Sequence, residues 1–409
     1  MNPIVLFEDE GWVGLLPLVY WRSVFELRVG RKIAVDRIAQ NLGAPVAGIW
    51  TRDWIAPVAA QRCGAPANTS IGPNTVLVNG RWLINGPFEF PKAPCVGVTD
   101  DGNVACISCD EALAGKLSPE TLLDVNLRAS ALEGIPRARV DATMLRHAWD
   151  IIGHLGDLLT HDWSAEDAGV NSDLKLMTDL VSANAIHIGE RARFHPTVVI
   201  DAGAGPIFIS DDVEIGPFVV VEGPAYIGPG TRINAHARLH GANALGPVCR
   251  VGGEICGSVI MGYSNKQHDG FLGHAFVGSW VNIGAGAVNS NLKNTYGPVR
   301  ASLCGKQIDT GLQFFGATIA DHVKVGINST IPTGAMIGFA SSVATPGPLS
   351  KYTPSFSWVT RDGIGGTDPA RALDVATAMM ARRNIDLTDQ EVELFLSLEK
   401  RTRDYEARA

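Results

Sequence analysis

Four side chains capable of proton transfer or charge stabilisation, Lys266, His268, Asp269 and His274, fall within nine residues of one another. Imidazole titrates near neutrality and is the side chain best suited to accept and return a proton. The plain alternatives are a loop histidine satisfied by a carbonyl and a solvated lysine. His274 reads as a structural residue or a partner of His268. Other candidates are weaker. Cys106 and Cys109 form a lone CxxC with no second ligand pair at similar spacing, which reads as ordinary buried thiols rather than zinc or redox chemistry. His147, His154 and His161 recur every seven residues, but Gly153 and Gly156 weaken a shared helix face.

The elements that must position the histidines announce themselves by a beat of six. Ile209, Ile215, Val221, Ile227, Ile233, Leu239, Leu245 and Val251 follow one another without a miss, and the step returns at Val277, Ile283, Ile319, Val325, Ile331, Ile337 and Val343. A period of six belongs to a solenoid whose short strands each send one aliphatic side chain inward before turning a corner. Residues 179–345 are therefore expected to form a left-handed parallel β-helix. The stretch 252–277 breaks the beat, and a loop leaving the wall is expected there. Residues 1–178 alternate strands (4–7, 46–50, 75–78) with helical patterns (26–42, 119–132, 142–159), which predicts an α/β domain. Residues 346–409 are an extended segment followed by charged helices, with Leu373, Ala376 and Met380 at helical spacing.

Composition narrows the partners. The chain has 409 residues, a formal net charge of −8 and seven scattered cysteines, which argues against a nucleic-acid surface and against a disulfide framework. It shows no leader pattern and no apolar run of membrane-spanning length, so a cytoplasmic protein is expected.

The segments 265–273 (NKQHDGFLG), 281–286 (VNIGAG) and 289–297 (NSNLKNTYG) resemble the acetyltransferase half of the GlmU family, N-acetylglucosamine-1-phosphate uridyltransferase/glucosamine-1-phosphate acetyltransferase. The stretches 15–30 (LLPLVYWRSVFELRVG) and 352–358 (YTPSFSW) resemble the alternative GlmU-like sugar nucleotidyltransferases more closely. The resemblance implies an α/β nucleotidyltransferase-like domain, a β-helix with acetyl-CoA-dependent N-acetyltransferase chemistry, and clefts between subunits of a homotrimer. It puts the catalytic base on His268, the sugar-contacting asparagine on Asn282 and the acetyl-contacting one on Asn291. Lys266, Phe271 and Lys293 would line the acceptor, and Ala285 and Gly286 the pantetheine arm. Proton acceptance by imidazole and amide donors at the developing oxyanion suit this reaction.

Departures leave the acceptor sugar open. Phe271 stands where the family has a tyrosine, Leu292 where it has another, Cys256 near the place of a phosphate-holding lysine, and His240 at that of an arginine. Phosphate would then fall to Lys266, Lys293, Arg250 or Arg300. In the first domain the phosphate-cradling glycine loop is replaced by 6–12 (LFEDEGW), and Arg81 stands where the family carries a Mg²⁺-binding aspartate. Arg22 and Arg28 remain as candidate phosphate ligands, with Mg²⁺ and NTP needed only if this domain is active. The competing readings are a nucleotidyltransferase alone, a non-catalytic sugar-nucleotide-binding protein, and a γ-carbonic-anhydrase-like metalloenzyme suggested by His236 and His240.

Overall fold

The computed structural model describes residues 2–174 and 178–407. Two compact units emerge, 1–147 with 389–394, and 148–388 with 395–409. The sequence suggests a boundary after residue 178; the division of contacts falls instead after His147.

The first unit is built on a six-stranded sheet. Its strands are β1 (Ile4–Phe7), β2 (Val46–Trp50), β3 (Val76–Asn79), β4 (Cys95–Val98), β5 (Val104–Ser108) and β6 (Arg137–Arg139). They lie in the order β2-β1-β3-β5-β4-β6. β1 runs parallel to β2 and β3, while β5 is antiparallel to β3 and β4, so the sheet is mixed. All four side chains of β1 are buried, as expected of a central strand covered on both faces. Phe7, Trp50, Leu77, Val96 and Ile107 meet in one core cluster. The helix expected over 26–42 is confined to Ala34–Leu42, because Arg28–Val29 folds back on Lys32–Ile33 as a small hairpin. Gly30 (φ 84°) makes that turn and Gly43 (φ 61°) ends the helix, both in the left-handed region open to glycine. The helical pattern over 119–132 is broken at Asp124, whose carboxylate accepts from Asn126 N and Leu127 N and so caps a second short helix. The pattern over 142–159 becomes a helix only at Ala148–His161.

The second unit is a parallel β-solenoid of about ten turns, a left-handed hexapeptide β-helix, with helices at its C-terminal end. Strands such as Arg232–Ile233, Arg238–His240 and Asn243–Leu245 follow one another onto a first, a second and a third wall. Ile209, Ile215, Val221, Ile227, Ile233, Leu239, Leu245 and Val251 are each at most 2% exposed, one per wall per coil. The outward neighbours alternate with them, as the strand period of two requires. Two expectations change here. The stretch 252–277 does not leave the coil: Glu254–Cys256, Val259–Ile260, Asn265–Lys266 and Phe271–Gly273 continue it. The beat breaks because the coil shortens: Leu239, Leu245 and Val251 pair with Ile255, Ile260 and Lys266, sixteen, fifteen and fifteen residues on instead of eighteen, and Lys266 takes the inward place under Val251. The true excursion comes later, where Arg300–Leu303 pairs antiparallel with Lys306–Asp309 before the coil resumes at Ala317.

Beyond the solenoid, the helix Pro369–Ala381 starts at Asp368, which caps Ala370 N and Arg371 N, and it buries Ala372, Ala376 and Met380. Leu373, expected on that side, is half-buried. No helix among the described residues is long and apolar enough to cross a membrane.

Candidate functional site

His268 sits in the turn between Asn265–Lys266 on the first wall and Phe271–Gly273 on the second, with its side chain exposed. Its Nε2 lies 3.2 Å from Gln267 Nε2. The turn is fixed by stacking: a Cβ at Gly253 would lie 2.9 Å from His268 O, and one at Gly270 only 2.4 Å from Ala287 O in the next coil. Lys266 props the same turn from inside. Its side chain is 2% exposed and its Nζ donates to the carbonyls of His268 (2.7 Å) and Asp269 (3.1 Å). Burial, opposed by the Asp269 charge, brings its pKa down to about 8. The lysine expected to touch a ligand therefore supports the backbone that carries His268.

The outward face of the second wall then reads across and along the coils. Glu254 and Phe271 are register neighbours, and Glu254 Oε1 lies 2.9 Å from His240 Nε2. Gly273 leaves a flat spot, since a Cβ there would approach the Phe271 ring at 2.3 Å and Asn291 Nδ2 at 2.8 Å. Asn291 follows Val288–Asn289 at the far corner, 2.9 Å from His274 Nδ1. His274 is half-buried against the ring of Phe314 (centroids 5.4 Å apart). Burial, then the charge of His240, holds its pKa below the ordinary imidazole range, so it is neutral near pH 7. One wall thus carries His268 at its leading corner, Phe271 on its face, and Asn291 with His274 at its trailing corner.

Asn282 is placed elsewhere. It opens the strand Asn282–Ile283 on the first wall, pairs with Asn265, and its Oδ1 accepts from Asn265 Nδ2 at 3.3 Å. Arg383 from the C-terminal segment donates to Asn265 Oδ1 at 3.1 Å on that wall. Gly286 (φ 69°) turns beneath the next coil, where a Cβ would meet Asn328 Oδ1 at 2.2 Å, and Ala285 O accepts from Asn328 N. Coil stacking alone accounts for that glycine. Lys293 Nζ donates to Pro298 O, and Arg300 is exposed. Sequence patterns missed Arg383 outright. Arg250 is one of the cations the sequence offers for phosphate, whereas Arg232, eighteen residues and one coil earlier, is not singled out by any sequence pattern.

In the first unit, the crevice at the carboxyl ends of β1, β2 and β3 is where a nucleotide would enter an α/β sheet. Two buried ion pairs occupy it. Arg81 donates to both oxygens of Asp9 (2.7 and 2.6 Å), and Asn79 Nδ2 adds a third bond at 2.8 Å. Burial would raise the Asp9 pKa, but bonds from Arg81 and Asn79 together with the Arg81 charge outweigh it and keep the carboxyl below its ordinary range. Arg52 grips Glu8 (2.9 and 3.1 Å), donates to Val19 O and Arg22 O, and lies 4.1 Å from the Trp12 ring. A Cβ at Gly11 would strike the Arg81 guanidinium at 2.4 Å, so the guanidinium fills the space a phosphate would need. Arg22 and Arg28 are each only 7% exposed, and Arg28 donates to Arg31 O. These residues do not fit Mg²⁺: Arg81 stands at the place of the metal-binding aspartate, and the crevice carboxylates Glu8 and Asp9 each already face an arginine.

Among the described residues no three His, Cys, Asp or Glu side chains converge as metal ligands. His236 stacks on Phe218 rather than joining His240. Cys106 and Cys109 are free and buried, and burial pushes both thiols up to about 12. Neither should react with iodoacetamide at pH 8 in the native protein, whereas both should in urea; mass spectrometry of the alkylated chain checks this.

Comparison with known proteins agrees with this architecture. Residues 4–169 match the family described as "Sugar nucleotidyl transferase", and residues 206–241 match "Bacterial transferase hexapeptide (six repeats)". A "Bifunctional protein GlmU" of Acidithiobacillus ferrooxidans is 30% identical over 158 residues, 37% of this chain and 32% of the relative. A "Bifunctional sugar-1-phosphate nucleotidylyltransferase/acetyltransferase" of Sulfurisphaera tokodaii is 36% identical over 144 residues, 32% of this chain and 36% of the relative. The chain spans about a third of the length of these curated relatives. The structure of the UDP-N-acetylglucosamine acyltransferase of Francisella novicida is 13% identical, with a TM-score of 0.29, over 58% of this chain and 86% of that one. The chain thus joins a sugar-nucleotidyltransferase-family domain to a bacterial-transferase hexapeptide solenoid, and its curated relatives are bifunctional GlmU-type transferases.

Proposed function

We propose that the solenoid transfers an acetyl group from acetyl-CoA to the amine of a sugar phosphate such as glucosamine-1-phosphate. The observation that carries this reading is the second wall, which bears exposed His268 at one corner, half-buried Phe271 on its face and half-buried Asn291 at the other corner. The amine nitrogen bonds to the thioester carbon, the C–S bond breaks, and the sulfur leaves as the CoA thiol. His268 accepts the amine proton and returns it to the sulfur. The amide of Asn291 donates to the carbonyl oxygen as it gains charge. Phe271 gives the sugar ring an apolar surface without the hydroxyl contact a tyrosine would add.

The wall is open on one side, so a second copy of the chain would complete the cleft, and a homotrimer is the assembly we propose. The filled crevice of the first unit favours a structural or sugar-nucleotide-binding domain over nucleotidyl transfer. The test is thiol release from acetyl-CoA on addition of glucosamine-1-phosphate and a panel of amino sugars. Release with at least one amino-sugar phosphate supports the proposal, and none with any acceptor overturns it.

A further inference from the structure

The first wall carries a feature that the acyl-transfer reading does not use. Arg232, Arg250, Asn265 and Asn282 occupy the same outward position on four successive rungs. Rungs of a parallel sheet lie about 4.8 Å apart, so neighbouring side chains on this ladder reach a common ligand. The inward partners Ile233 and Val251 are fully buried, which fixes the two arginines outward. Arg383 arrives from the C-terminal segment and lies over the ladder, bonded to Asn265 Oδ1 at 3.1 Å.

The charges do not cancel. Glu214 lies 3.2 Å from Arg232 Nε and is shared with Arg193. Arg250 Nη1 donates only to the carbonyls of Gly230 and Cys249, both at 3.1 Å. Arg383 Nε is buried without a hydrogen-bond partner. Burial first, then the Arg383 and Arg232 charges, presses the Arg250 pKa below its ordinary value. Burial, Arg382 and Arg232 do the same to Arg383. Cations held together at such cost are relieved by an anion among them, and planar guanidinium forks match phosphate oxygens in pairs.

We propose that Arg232, Arg250 and Arg383, with the amides of Asn265 and Asn282, form a binding site for a phosphate group. Glu214 offsets Arg232 only in part, since it also pairs with Arg193, and among the described residues the guanidinium groups of Arg250 and Arg383 have no carboxylate of their own to set against a phosphate monoester dianion. The site makes the C-terminal segment part of the binding machinery, since Arg383 is the cation that closes the ladder. It also gives Asn282 a role apart from His268: an amide donor to phosphate on a neighbouring wall. The source of the phosphate, the acceptor sugar or the CoA cosubstrate, rests on the acyl-transfer reading; the anion site does not.

Isothermal titration with glucosamine-1-phosphate, CoA, dephospho-CoA and inorganic phosphate tests this on the full chain, its Arg250→Gln variant and its Arg383→Gln variant. The expected result is at least tenfold weaker binding of one phosphorylated ligand in both variants, with a shallower salt dependence. A loss for glucosamine-1-phosphate assigns the site to the acceptor. A loss for CoA that dephospho-CoA does not share assigns it to the adenosine phosphate of the cosubstrate. Arg383 lies in the turn that follows the helix Pro369–Ala381, so its variant carries the test if Arg250→Gln misfolds. Binding of all four ligands unchanged in the folded variants, or by none in wild type, overturns the site. Arginine-dependent phosphate binding without thiol release would overturn acyl transfer alone. Thiol release with unchanged KM in both variants would overturn the anion site alone.

Discussion

Replacing Arg81 by alanine should cost about 3–5 kcal/mol of stability at neutral pH, the usual penalty for stranding one member of a buried ion pair. Asp9 is 2% exposed and would keep only Asn79 Nδ2 and Gly11 N as partners. The double variant Asp9→Asn, Arg81→Met should recover most of that loss, because it removes both charges instead of one. Urea melts of the three proteins check this. The pH dependence gives a second reading. The carboxyl of Asp9 is held below its ordinary range in the folded wild type, so its contribution is present above the unfolded pKa and is lost as pH falls through the folded one. Without Arg81, burial would dominate and the carboxyl would take up a proton at higher pH. The gap between wild type and Arg81→Ala should therefore narrow on acidification from pH 7 to pH 5. A gap near zero at pH 7 would mean that the crevice is open to water and free to accept a nucleotide.

The other large effect is on turnover. His268→Ala should lower kcat for thiol release by roughly 10²–10⁴-fold, the range for a positioned general base. KM should move little, because the imidazole makes no contact that holds the turn: Lys266 does, through the carbonyls of His268 and Asp269. The fold should survive the change, since the side chain is exposed. An unaltered melting temperature alongside the activity loss separates a chemical role from a structural one.

The solenoid was legible because its physics repeats. Each coil must send an aliphatic side chain inward on every wall, so Ile209 through Val251 mark the architecture without any long-range information. The same rule misled where the coils shorten. Leu239, Leu245 and Val251 are followed on their walls after sixteen, fifteen and fifteen residues instead of eighteen, and an inward lysine at 266 further disguises a continuous coil as a loop. The histidines, Phe271 and Asn291 could be picked out by type, but their sorting onto walls depends on register. Asn282 and His268 are fourteen residues apart and look like one site, yet a first-wall strand carries one and a corner turn the other.

What stayed hidden was held by contacts remote in the chain. Glu8 meets Arg52 across 44 positions and Asp9 meets Arg81 across 72, so both acids read as the remains of a phosphate loop rather than as halves of buried pairs. Arg383 reaches Asn265 across 118 positions, a distance over which no local pattern carries a signal. Hydrophobic periodicity reports burial within an element; it does not report which charged side chains find each other once elements pack.

Two histidines on one wall make the sharpest test. His274, its pKa lowered by burial and the His240 charge, is set against Asn291 and lies half-buried under Phe314, whereas His268 faces solvent at the opposite corner. The measurement is thiol release from acetyl-CoA with glucosamine-1-phosphate by wild type, His268→Ala and His274→Ala, each shown to be folded. Collapse of kcat in His268→Ala, with a smaller loss in His274→Ala, is the result this account requires. Turnover retained in His268→Ala and lost in His274→Ala would contradict it and move the base to the other corner of the wall.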